Sequence, residues 1–249
     1  PYNLYYDTNV KGTRNVLRAM REKNIQHIIF TSTVALYGLN KLKPNEYDSL
    51  IPFNHYGKSK LQAEEELTEW WHEDPQNRSL IIIRPTVVFG EDNCGNVYTL
   101  INQILKNRFM MIGNGKNRKS MAYVGNVAAF IKFLLDNQIQ GKHIYNYTDA
   151  PDYTINELVS LIKEELNMGD HRIHIPKWLG LIVGYFFDFV SYLTDLKFSI
   201  SAIRIKKFCA NSIYDTRKMI ATDFEPPFSL RDGLSRTIQH EFINDAERT

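Results

Sequence analysis

The chain of 249 residues is 43% hydrophobic and 23% charged, and its 30 basic against 28 acidic side chains leave a formal net charge of +2. That composition belongs to a globular chain with ample core, folded as one large or two small domains, and a charge so near balance makes no case for nucleic acid as a partner. Two cysteines, Cys94 and Cys209, stand far apart without metal or redox spacing, which sets a reducing, cytoplasmic compartment as the default.

Val10, Leu17 and Met20 recur at helical spacing and predict a helix over 5–23, ending at a Lys23-Asn24 turn. Residues 25–32 form a β-branched run suited to a strand buried on both faces. A loop with Lys, Pro and Asn leads to a long helix over about 56–71, rich in Ala, Glu and Leu, and Leu80, Ile81, Ile82 and Ile83 make a second buried strand. Helix, strand, helix, strand is the order of a doubly wound α/β sheet. Further along, 97–106 reads as a helix, 110–112 as a short strand, 127–135 as a helix and 143–147 as the last sheet strand. Beyond Asp149, two helical patterns over 154–166 and 176–194 precede a polar C-terminal tail, and no repeat or low-complexity tract interrupts the chain.

The chemistry concentrates in Tyr56-Gly-Lys-Ser-Lys60. The four-residue gap puts Tyr56 and Lys60 on one helix face, one turn apart. An ammonium within a few Å favours a phenolate, so a phenol of ordinary pKa about 10 is drawn toward neutrality and becomes a general base for a sugar or alcohol hydroxyl. A Tyr-x-x-x-Lys alone is common. Here it follows Ser32-Thr33-Val-Ala-Leu-Tyr37-Gly38 at the end of an apolar strand and precedes Arg84-Pro85-Thr-Val-Val-Phe-Gly90.

This combination resembles the extended short-chain dehydrogenase/reductase family, in its nucleotide-sugar epimerase and dehydratase branch, over essentially the whole chain. Asn9-Val-Lys-Gly12-Thr13 is similar to the family's Asn-Val-x-Gly-Thr helix, and Asp215-Thr-Arg-Lys218 and Leu230-Arg-Asp-Gly233-Leu234 to its C-terminal signatures. The resemblance implies the C-terminal part of a doubly wound Rossmann parallel sheet plus a smaller α/β substrate domain. Residues 1–90 and 119–149 would form the NAD-binding domain, and 91–118 and 150–249 the substrate-binding one. It implies Thr33, Tyr56 and Lys60 as catalytic residues, with Asn9, Thr31, Pro85 and Val88 joining Tyr56 and Lys60 around NAD. The family's glycine-rich turn, Gly-x-x-Gly-x-x-Gly, which lays a pyrophosphate on a helix N-terminus, has no counterpart here. The sequence therefore reads as an N-terminally incomplete piece, short of two βαβ units or about 80 residues.

Departures from the family pattern sharpen the substrate. Dehydratases of the family carry Asp-Glu after the catalytic Thr to eliminate water, and here Val34 and Ala35 stand there, which favours an epimerase or a dehydrogenase. Val87 replaces the Asn that reaches a nucleotide-sugar phosphate, Lys119-Ser120 replaces Arg-Asp, and Gly125-Asn126 replaces Asp-Asp. A diphosphate is then expected to meet Lys119 and Arg204 or Lys206, each of which on its own also reads as a solvated surface charge. The aromatic run from Trp178 to Leu193 is too short and too interrupted by Asp188 to span a bilayer; it reads either as a helix lying in a membrane interface or as one packed in the substrate domain or at a homodimer seam. His171 and His174 lack a third ligand and read as surface histidines, so no metal is expected.

Together these features resemble the branch that inverts C4 of N-acetylglucosamine carried on diphospho-undecaprenol, interconverting it with the N-acetylgalactosamine form for O-antigen assembly at the cytoplasmic face of the inner membrane. Phe53 to Lys60, Lys119 to Asn126 and Ile205 to Ala210 carry that likeness. A UDP-hexose 4-epimerase, a membrane-associated hydroxysteroid-type dehydrogenase and a non-catalytic protein of the same fold remain alternative readings.

Overall fold

Residues 2–39, 41–169, 173–194, 196, 198 and 200–243 are described by the computed structural model, so His171 and Lys197 lie outside it. The chain forms two units, one of residues 1–88, 121–149 and 214–228, the other of 89–120, 150–213 and 229–249. The chain passes between them inside three strands, β3 (Val87–Phe89), β5 (Arg118–Tyr123) and β7 (Asp149–Thr154), and again after Ile213 and Phe228.

In the first unit, α1 (Tyr2–Tyr6), a π-helical turn over Asp7–Lys11 and α2 (Gly12–Glu22) follow one another without a break. The long helix α3 (His55–His72) comes next, then α5 (Val124–Asp136) and the short α9 (Arg217–Ile220). The sheet is parallel, in the order β1 (His27–Thr31), β2 (Ser79–Pro85), β6 (Lys142–Tyr147). His27 stands opposite Ser79, and Leu80 opposite Lys142.

Every residue of β2 is buried, and its central run Leu80, Ile81, Ile82 and Ile83 is apolar on both faces. Ile81 and Ile83 join Phe130, Tyr145, Tyr147 and Met219, while Leu80 and Ile82 join Leu17, Met20, Leu67 and Trp70. One strand thus seeds two cores, one for each layer of helices.

The second unit holds α4 (Asn96–Leu105), α6 (Ile155–Glu165), α7 (Lys177–Thr194), α8 (Ala202–Cys209) and α10 (Leu230–Ile238). It also holds the short parallel pair β4 (Met111–Ile112) and β8 (His174–Ile175). Capping boxes start α6 (Thr154 with Glu157) and α10 (Ser229 with Asp232), each satisfying two of the backbone donors a helix start leaves bare.

Two sequence expectations change. The polar tail, among the described residues, is mostly helical: α10 buries a stripe of Leu230, Leu234 and Ile238, α8 buries Ala202 and Ile205, and α9 buries Met219. Tyr214–Phe228, expected in the substrate domain, instead clusters with the first unit. Asp215 N donates to Pro44 O at 3.0 Å, Asn146 Nδ2 to Asp215 O at 3.1 Å, and the Phe224 ring lies 5.0 Å from that of Phe130.

Candidate active site at the sheet's carboxyl edge

The first unit assembles the motif where β1 and β2 end. Beyond Thr31 the chain stays extended: Ser32 N donates to Ile83 O at 2.7 Å, and Thr33 keeps φ −162° and ψ 148°. Thr33 Oγ1 then accepts from Ala35 N at 3.2 Å, capping a 3₁₀ turn over Val34–Tyr37. Asn54 caps α3 in the same way, its Oδ1 accepting from Gly57 N at 2.7 Å. Gly57 permits the approach of the two elements, since a Cβ there would lie 2.9 Å from Pro52 Cβ and 3.2 Å from Ala35 O. The start of α3 can therefore sit against the 3₁₀ turn, and Tyr56 reaches Thr33.

The Tyr56 phenol is half-buried, and burial pushes its pKa above the ordinary value. A hydrogen bond with the Thr33 hydroxyl draws it back, and the Tyr5 ring, edge-on at 5.7 Å, adds a smaller upward push. Because Thr33 Oγ1 already accepts the Ala35 N–H, its own hydrogen is left for the phenol oxygen. One turn along, Lys60 Nζ donates to Thr31 O at 2.9 Å and lies 4.6 Å from the centroid of Phe30. Burial lowers the Lys60 pKa, and Glu64 opposes that shift. The sequence expectation of a phenol depressed by its lysine is corrected here: the ammonium is directed at a backbone carbonyl, and desolvation decides the direction for Tyr56.

Asn9 sits in the π-helical turn, a local widening frequent at functional sites. Its Nδ2 donates to Ser59 Oγ at 2.9 Å, and Ser59 Oγ donates to Tyr56 O at 2.9 Å, so Asn9 is fastened to the backbone of the residue that carries the phenol. Pro85 closes β2 opposite Tyr147, Thr86 N donates to Tyr147 O at 3.1 Å, and Val88 follows in β3.

Two neighbours to which sequence reasoning gave no side-chain role stand out, Thr86 being expected only as part of the strand exit under the nicotinamide. The hydroxyls of Ser32 and Thr86, only 3% and 7% exposed, have no hydrogen-bond partner among the described residues. Buried hydroxyls are ordinarily paired, and open α/β sheets take ligands outside the carboxyl ends of their strands. Two buried hydroxyls just past the carboxyl ends of β1 and β2 fit a polar ligand such as a nicotinamide nucleotide.

Behind these groups lies a buried polar network. Arg84 donates to Glu64 through Nε at 3.0 Å and Nη2 at 2.6 Å, and through Nη1 to Tyr37 Oη at 2.9 Å. Tyr37 passes its hydrogen to Asn146 Oδ1 at 2.7 Å, and Asn146 N donates to Glu46 Oε1 at 2.8 Å. Glu64 follows Lys60 by one turn and Arg84 precedes Pro85, so this bidentate pair ties α3 to the end of β2.

The residues expected at a diphosphate lie in the second unit. Lys119 Nζ donates to Lys207 O at 2.8 Å and Ala210 O at 2.6 Å, holding the last carbonyls of α8, and burial pushes its pKa down to about 8. Lys206 Nζ donates to Tyr185 Oη at 2.8 Å, and Arg204 stands in the first turn of α8. The structure thus brings Thr31, Thr33, Tyr56, Lys60 and Asn9 together in one unit and Lys119, Arg204 and Lys206 in the other.

The model of the NAD-dependent epimerase/dehydratase family matches residues 2–147. The chain is 52% identical, over 98% of its length and 74% of the relative, to the N-acetyl-α-D-glucosaminyl-diphospho-ditrans,octacis-undecaprenol 4-epimerase of Escherichia coli O157:H7. It is 24% identical to the UDP-glucose 4-epimerase of Vibrio cholerae, over 96% of this chain and 70% of the other. Among solved structures, UDP-glucuronic acid 4-epimerase from Bacillus cereus, in complex with NAD, superposes with a TM-score of 0.73 at 17% identity over 96% of this chain and 69% of that one, a likeness of fold. Family match, close relative and strand-end geometry agree, and the chain belongs to the NAD-dependent epimerase/dehydratase family.

Proposed function

We propose that this protein is an NAD-dependent sugar 4-epimerase that interconverts N-acetylglucosamine and N-acetylgalactosamine on a diphospho-undecaprenol carrier, for surface polysaccharide assembly. The observation that carries this reading is the 52% identity, sustained over 98% of the chain, to a relative of that activity. No helix among the described residues is long and apolar enough to cross a membrane. In this reading the enzyme meets its lipid substrate at the cytoplasmic face.

In the proposed reaction the sugar C4 hydroxyl lies between Thr33 and Tyr56. Thr33 orients the hydroxyl, and Tyr56, as phenolate, takes its proton and later returns it to the inverted centre. NAD, when bound, supplies the acceptor and then the donor of the C4 hydride. Lys60 would hold the nicotinamide ribose, with Asn9, Thr31, Pro85 and Val88 around it. Val34 and Ala35 offer no acid or base for water loss, so the sugar keeps its C6 hydroxyl. Arg204, Lys206 and Lys119 are the proposed contacts of the diphosphate.

The test is incubation of the protein and NAD⁺ with N-acetylglucosaminyl-diphospho-undecaprenol or with UDP-N-acetylglucosamine, followed by analysis of the released hexosamines. Conversion of the lipid-linked sugar, without net accumulation of reduced cofactor, is the expected result. Turnover of the UDP-sugar alone would overturn the carrier assignment, and stoichiometric release of reduced cofactor would make the protein a dehydrogenase.

A further inference from the structure

Helix α7 (Lys177–Thr194) buries only two of its residues, Gly180 and Gly184. Both are spent on close approach. A Cβ on Gly180 would lie 2.8 Å from Ile112 Cγ2, and one on Gly184 would lie 2.8 Å from Ala202 N and 2.9 Å from Ile205 Cδ1. The glycine seam fixes the rotation of α7 about its own axis.

Directly opposite that seam, Trp178, Ile182, Tyr185, Phe186, Phe189 and Tyr192 are all exposed. Their spacing, i, i+4, i+7, i+8, i+11 and i+14, makes one continuous stripe on a helix of about 3.6 residues per turn. Scattered exposed apolar residues are ordinary on a protein surface, whereas an aromatic stripe this long is not.

Charge says what covers it. Lys177 opens α7, and Arg204, Lys206 and Lys207 stand on α8. The only acidic residue of the two helices, Asp188, is turned to α8, where its Oδ2 accepts from Ala202 N at 3.0 Å. Lys206 sits at the border of the stripe, its ammonium 2.8 Å from Tyr185 Oη. An apolar face with Trp and Tyr at its margins, flanked by cations, matches the boundary between acyl chains and anionic headgroups.

We infer that α7 lies in the plane of an anionic lipid surface, its Trp178–Tyr192 stripe inserted among the headgroups and the basic residues of α8 beside them. This inference rests on the proposed lipid-linked substrate only for its purpose; the surface itself is argued from the helix. A sugar whose polyprenyl tail remains in the bilayer must be met there, and a helix that lies on the membrane without crossing it brings the enzyme to the sugar.

The experiment is flotation of the protein with vesicles of phosphatidylcholine alone or with phosphatidylglycerol, containing no sugar-lipid. The parent protein is expected to float with the anionic vesicles, and to do so less as salt rises to about 1 M, where screening shortens charge interactions to about 3 Å. The double variant Phe186→Ser/Phe189→Ser, altered only at exposed positions, should lose about tenfold to a hundredfold in partitioning. Circular dichroism and light scattering on both proteins complete the comparison. A parent that stays with the soluble fraction overturns the inference, and so does a double variant that floats as well as the parent. A parent dimer that the double variant converts to monomer, with flotation unchanged, assigns the stripe to a second copy instead. Flotation without turnover of the lipid-linked sugar would count against the substrate and leave the surface standing.

Discussion

Glu64 is the point at which the fold supporting the active site can be tested most directly. Its side chain is 5% exposed and that of Arg84 2%, and the two meet through paired contacts of 3.0 and 2.6 Å. Glu64→Leu leaves a guanidinium inside the sheet with no carboxylate, at a cost of about 3–5 kcal/mol. Arg84→Met strands the carboxylate and strips the Tyr37 hydroxyl of its donor, at a similar cost. Glu64→Leu/Arg84→Met removes both charges and refills the space with apolar atoms, and is expected within about 1–2 kcal/mol of the parent. The singles would lower Tm by about 6–20 °C, at about 2–4 °C per kcal/mol for a chain of this size. Urea titration followed by tryptophan fluorescence reads the effect, since Trp70 is fully buried in α3 of the same unit. The reasoning fails if either single variant loses less than about 1 kcal/mol, or if the double loses the sum of the two, because groups in contact must couple.

Four further outcomes follow from the same site and its supports. Tyr56→Phe should keep its fold by circular dichroism and lose about 10²–10⁴-fold in epimerisation; near-normal turnover would remove Tyr56 as the base. Thr33→Val deletes the hydrogen bond that draws the phenol pKa down, so the rising limb of the pH–rate profile should move to higher pH, and an unmoved limb would separate the two residues. Lys119, held at about 8 when folded, keeps fewer protons than the unfolded chain between about 8 and the ordinary lysine value. The parent should therefore gain stability relative to Lys119→Met as pH rises through that window, and a flat difference would show that the lysine is not buried. Asn54→Ala removes the cap of α3 and should cost about 1 kcal/mol in urea titration, with no loss if Gly57 N finds another acceptor.

The alternation of helices and strands between Val10 and Tyr147 was legible because its periods are clean: Leu80 to Ile83 is apolar on both faces, and α3 shows no breaker after Gly57 in its first turn. β5 and β7 were not legible. Arg118, Lys119 and Ser120 open the one and Asp149 and Pro151 stand in the other, so the first half of each strand carries little strand propensity. The tail hid α10 behind its charges, although Ser229 three residues before Asp232 is a readable helix start. At the site, the Thr33–Tyr56 pairing was legible from the strand end and the helix that follows it. The direction of the Lys60 ammonium was not, since the choice between a phenol and the Thr31 carbonyl is made by side-chain placement. That the hydroxyls of Ser32 and Thr86 find no partner among the described residues was equally invisible, because want of a partner is a property of the folded neighbourhood and not of a residue type.

Because the chain changes unit five times, neither unit is a continuous stretch of polypeptide. During synthesis the three-stranded parallel sheet can pair once Tyr147 has emerged, but the apolar layer over Phe130 still lacks Met219 and Phe224. At about 5–20 residues per second, the nascent sheet waits on the order of ten seconds for its final segment. Through that interval the unclosed aromatic surface is a target for holding chaperones, and substitutions between Tyr214 and Phe228 should be read first as changes in the yield of soluble protein. A loss of cellular activity from Met219 or Phe224 variants would then reflect fewer completed molecules, with the turnover of each survivor unchanged.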